Sequence, residues 1–236
     1  MIINVEESRY KCSVLLNDAN TAFHNKNYDE AEKMYLRICR IAENIFCKTS
    51  LKKDSNSLIE YYTKIIEFYY SQKNLEFVQR WHQKLVGILQ TSCQNTFNSD
   101  DYHQLMDWYI KTINVMIDNK DYNAIIRISS KMYNNATILF NKTKVDEDMK
   151  YIIISKLFLA NAYQKNNQLF KAYFSYYYSG KKLNNLYDST KDEGMKNDLI
   201  NIYQCLYELS NRKILKFIAK KWKVKILLLK GDVYDK

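Results

Sequence analysis

The chain is 236 residues long with a net charge of +10, 47% hydrophobic and 26% charged residues, enough apolar side chain for a core and enough charge to solvate it. Pro is absent and Gly occurs four times, where average usage would give roughly 12 and 16. That excludes turn-rich sandwiches and barrels as well as disorder, and points to an all-α protein.

The opening MIINVEESRYK has no apolar signal core, and no apolar run near either end approaches the ~20 residues of a membrane span. Five cysteines without a CxxC pair fit free thiols, so a reducing, cytoplasmic setting and no membrane-spanning segment are expected.

Four short polar breaks mark the chain in order: NKNY ending at Tyr28, QKNL at Leu75, NKDY at Tyr122 and NNQL at Leu169, each 47 residues after the last. Amphipathic stretches flank every break, such as SLIEYYTKIIEFYYS before Leu75 and LEFVQRWHQKLVGIL after it, with apolar residues at i, i+3, i+4 and i+7. The repeating unit is a helical hairpin. Hairpins are expected over roughly 10–47, 57–92, 102–141, 149–187 and 195–230, stacked as one domain over 1–236. The Asx-rich stretches between them read as loops that cap the next helix, and Asp146, Glu147 and Asp148 as solvated caps.

In the first repeat, Ala19 and Ala22 precede the break, Tyr28 follows it, and Ala31 and Tyr35 lie beyond. This pattern resembles the tetratricopeptide (TPR) repeat. Ala160, Tyr163, Ala172 and Tyr176 restore it in the fourth unit, whereas Ile66, Val78, Ile113 and Ile125 replace the small residues in between. The family's 34-residue unit, first-helix Trp and Gly, and closing Pro are not reproduced. Proteasome-lid and signalosome subunits are a similar alternative. The resemblance implies a right-handed superhelical stack of four to five hairpins, with the first helices lining a concave groove.

By that resemblance Asn20, Asn114 and Asn161, which share one repeat position with Glu67, face the groove, where an amide can both donate to and accept from an extended peptide. Lys64 and Lys111, with Phe23, Tyr70, Ile117 and Gln164, complete an amphipathic lining. Leu16 stands where the family's carboxylate clamp would want a cation. The function expected is a non-enzymatic scaffold or adaptor holding a peptide or helix of a partner protein.

Residues 211–231 carry eight basic and no acidic residues. Helical spacing of Ile214, Ile218, Trp222, Ile226 and Leu229 leaves Lys213, Lys216, Lys220 and Lys223 on the other side, either as a solubilising cap or as a surface for nucleic acid, acidic lipid or an acidic protein. The alternation of Trp222, Val224 and Ile226 with lysines also permits a short strand. No HExxH, Cys–His or Gly-rich phosphate motif occurs, so neither cofactor, metal nor catalysis is expected.

Overall fold

A computed structural model describes residues 4–95, 97–212 and 216–231. All elements among them are helices: α1 (Val5–His24), α2 (Tyr28–Thr49), α3 (Lys52–Ser71), α4 (Leu75–Asn95), α5 (Ser99–Asp118), α6 (Tyr122–Thr143), α7 (Asp146–Lys165), α8 (Leu169–Thr190), α9 (Glu193–Arg212) and α10 (Lys216–Lys230). First helices start at Val5, Lys52, Ser99, Asp146 and Glu193, and second helices at Tyr28, Leu75, Tyr122, Leu169 and Lys216. Both series advance by 47 residues at every step.

The turn inside each of the first four hairpins is the same motif. Lys26, Lys73, Lys120 and Asn167 adopt φ of 61°, 55°, 56° and 56°. The next N–H reaches back to the last turn of the first helix, as from Asn27 to the Ala22 carbonyl at 2.9 Å and from Gln168 to that of Tyr163 at 2.8 Å. A left-handed residue with that reach-back bond closes a helix and satisfies carbonyls that would otherwise lack partners.

The chain forms two compact units, residues 1–101 and 102–236. In the first, α1 packs on α2, α2 on α3 and α3 on α4; in the second, the order runs from α6 through α10. The repeat positions that resemble the TPR small residues are buried throughout: Ala19, Ile66, Ile113 and Ala160 on first helices, and Ala31, Val78, Ile125 and Ala172 on second helices. Tyr35, Tyr69 and Tyr176 are core residues, while Tyr177 faces outward from the three-tyrosine run. Gly180 permits a close approach, since a Cβ there would stand 3.1 Å from Ile202 Cγ2 on α9.

Two expectations need correction. The hairpins are longer than the polar stretches suggested, because most of CKTSLKKDSNS and NKTKVDED is helical. Asp148 is buried, not solvated. Thr143 donates to it and His103 Nε2 lies 2.7 Å from its Oδ1. The first unit has the same latch at the same positions: Thr49 donates to Asp54 at 2.6 Å and Arg9 Nε at 2.8 Å. A carboxylate tied to a hydroxyl 5 residues earlier and to Arg9 or His103 one hairpin earlier joins successive first helices. The C-terminal basic segment is helical from Lys216, which removes the strand alternative there, and Trp222 and Ile226 face its buried side.

Candidate partner-binding site

In the first unit, Asn20 on α1 accepts a 2.7 Å hydrogen bond at Oδ1 from the Tyr35 hydroxyl on α2. In the second, Asn161 on α7 accepts at 2.6 Å from Tyr176 on α8, whose hydroxyl also lies 3.1 Å from Gln164 Oε1. Each tyrosine is buried and sits 15 residues after its asparagine. The amide oxygen is thereby consumed by the fold. Each Nδ2, a two-proton donor, is left without a partner among the described residues.

The ladder is not uniform. Asn114 is exposed on α5, but the residue 15 positions later is Ser129, buried with its hydroxyl unpartnered among the described residues. Glu67 has His82 at that offset, and its carboxylate pairs with Lys64 at 3.0 Å. Lys64 is therefore partly neutralised, and Lys111 lies over the Trp108 ring at 4.4 Å. Tyr70 is 54% exposed on the same helix as Lys64, and Phe23 meets Phe68 edge-on at 5.9 Å. α1 in the first unit and α7 in the second thus each present one oriented amide donor.

A second recurring bond joins consecutive hairpins. Tyr62 on α3 donates to Glu43 on α2 at 2.5 Å, and Tyr203 on α9 donates to Asn184 on α8 at 3.1 Å, three repeats later. Sequence periodicity did not single out these positions, because their partners differ in chemistry from repeat to repeat.

Of the basic C-terminal residues, Lys213 lies outside the described residues, Lys216 begins α10, and Lys220 and Lys223 are exposed. Neither lines the cleft between α8 and α10. The cations that do are Lys221 and Lys225, on the flank of α10 beside Trp222. Among the described residues no group of three His, Cys, Asp or Glu side chains could hold a metal ion, and no helix is long and apolar enough to cross a membrane.

No protein-family model matches the sequence, and no curated protein matches it. Solved structures do. RapI in its apo form superposes with a TM-score of 0.55 at 15% identity, covering 94% of this chain and 54% of its own, so the chain spans about half the length of RapI. BtubC (BKLC) from P. vanneervenii gives 0.53 at 11% identity, covering 99% of this chain and 94% of its own. A kinesin light chain from Podosopora anserina, described as having nearly identical TPR-like repeats, gives 0.51 at 14% identity over 97% of this chain and 98% of its own. The chain has a TPR-like helical-repeat fold. At these identities the likeness concerns architecture, and the TPR-like hairpins here are stretched to 47 residues by helices of 20 to 22 residues in the first four units.

Proposed function

We propose that this TPR-like chain is a non-enzymatic interaction module that holds extended segments of a partner protein on the first-helix face of each of its two compact units. The supporting observation is the paired geometry of Asn20 with Tyr35 and Asn161 with Tyr176. A buried hydroxyl takes the amide oxygen, so the amide cannot rotate freely and its N–H donors are held for a peptide carbonyl. Preorganisation of this kind reduces the entropy lost on binding. In the first unit Phe23 and Tyr70 supply apolar contact and Lys64 adds charge that acidic side chains of a partner can use; in the second, Ile117 and Lys111 have these roles.

Tyr176→Phe and Tyr35→Phe test this without removing the asparagines. Each retains the ring and its packing but frees the amide. The affinity of a partner recovered with the full chain should fall several-fold for the double variant, in line with about 1 kcal/mol per hydrogen bond. Unchanged affinity would reject the role of the oriented amides.

A further inference from the structure

The opposite aspect of the hairpins, formed by the second helices, carries a different chemistry in residues 102–236. A cleft of about 390 Å³ runs between α6 and α8 over α7, and another of about 160 Å³ runs between α8 and α10 over α9. They are successive copies of one site, cut by the same repeat positions: Lys156 in the first corresponds to Tyr203 in the second, Phe174 to Lys221, and Ser175 to Trp222. Among the described residues, no Asp or Glu lines either cleft.

Lysines and aromatic rings dominate both. Lys156 and Lys171 border the first, and Lys181, Lys221 and Lys225 the second. Among the described residues, the ion pairs of this unit engage Lys150, Lys191 and Lys196, and Asp148 pairs with His103. Among the described residues, the cleft lysines carry no carboxylate. Residues 1–101 contain thirteen Lys/Arg and thirteen Asp/Glu, whereas residues 102–236 contain twenty-three against thirteen, so the entire net charge belongs to this unit.

The shared wall, α8, presents Phe170, Phe174 and Tyr177 at 70%, 65% and 43% exposure, spaced i, i+4 and i+7 on one ridge. Helical rise sets these positions about 6 and 4.5 Å apart along the axis. Trp222, buried at 3% exposure in the second cleft, has an indole N–H with no acceptor among the described residues. A buried donor of that kind gains from a ligand oxygen.

We propose that these two clefts and the α8 ridge bind single-stranded nucleic acid, with bases stacked on the exposed rings and phosphates neutralised by the cleft lysines. Flat exposed rings interleaved with point-charge cations suit a strand of any sequence, because every base has a π-face. Carboxylate recognition would favour the planar fork of arginine, and among the described residues no arginine lines either cleft. This site is walled by second helices and floored by Lys156, Leu159 and Tyr163 of α7 and Tyr203 of α9, and it uses none of the residues of the peptide face proposed above.

The test is fluorescence anisotropy of the full chain with a labelled ~20-nucleotide oligouridine, titrated between ~50 and ~200 mM salt. The oligonucleotide should bind, more weakly at the higher salt. Phe174→Ala with Tyr177→Ala should reduce affinity at least tenfold at unchanged thermal midpoint, as stacking losses of about 1–3 kcal/mol per base imply. Lys221→Gln with Lys225→Gln should reduce the salt slope by about 1.4, and Lys48→Gln on α2 should change neither quantity. Four outcomes would each overturn the proposal: no binding at low salt, equally tight binding of a duplex of the same length, displacement of the oligonucleotide by polyglutamate at equal charge, or association with phosphatidylserine vesicles only. Full affinity in the ring variant would overturn it as well.

Discussion

Both carboxylate oxygens of Asp54 are engaged by Arg9, Oδ1 by Nε at 2.8 Å and Oδ2 by Nη2 at 2.7 Å, across 45 residues of chain. Arg9 also contacts Glu6. The guanidinium hydrogen bonds, helped by the Thr49 hydroxyl, hold the Asp54 carboxyl below its ordinary range against burial, which acts in the other direction. A depressed native value means that this stabilisation is fully present above the unfolded pKa of about 3.9 and is lost as pH falls through the native value. Urea unfolding at neutral and strongly acidic pH should show a greater loss for the native protein than for Asp54→Asn. Parallel losses would mean that the latch contributes nothing.

The hairpin turns place Lys26, Lys73 and Lys120 in left-handed backbone that glycine adopts without a Cβ penalty. Replacing each with Gly should raise stability by roughly 0.5–1 kcal/mol, the helical penalty reduced by the greater freedom glycine has when unfolded. Chemical denaturation midpoints of the single variants check this. Destabilisation at all three turns would contradict the conformation.

Ala31 and Ala172 are fully buried where second helices cross their partners. Ala31→Leu and Ala172→Leu should each cost about 1–3 kcal/mol by overpacking, whereas Val78→Ile at the same repeat position should cost less because the second hairpin already accommodates a branched side chain. Thermal unfolding measures the difference.

Thiol reactivity should divide the cysteines sharply. Burial pushes Cys12 up to about 11 and Cys93 up to about 12, and burial together with Glu43 pushes Cys39 up to about 12, while Cys47 is exposed. Reactivity follows thiolate fraction and access. Alkylation of native protein near pH 8 should modify Cys47 first, with Cys12, Cys39 and Cys93 reacting only in denaturant. Mass spectrometry of the peptides reads the order.

The repeat was legible because the polar breaks ending at Tyr28, Leu75, Tyr122 and Leu169 stand on the first residues of α2, α4, α6 and α8. Helix ends were less legible. Thr49, Asp54, Thr143 and Asp148 look like loop residues by composition, yet they form helix-to-helix latches whose third members, Arg9 and His103, lie 45 residues away from the aspartates. Local patterning cannot register so distant a partner.

The asparagine series was found from its spacing, but the phenolic donors Tyr35 and Tyr176 entered only as aromatic positions of the repeat pattern. An offset of 15 residues between Asn and Tyr, present in the first and fourth repeats, was the available signal. The lysines beside Trp222 were pooled with the rest of a basic helix. Only the placement of α8 and α9 separates Lys221 and Lys225 from Lys220 and Lys223.

Site-specific photocrosslinking tests the peptide-face assignment most directly. A benzophenone amino acid replaces Asn114, exposed on first helix α5, or Ile138, exposed on second helix α6, and the full chain is irradiated in extract of its native host. Position 114 should give a discrete protein adduct that position 138 does not give, and Tyr176→Phe should diminish it. Adducts of equal yield from both positions, or from position 138 alone, would contradict a partner-binding face built from the first helices.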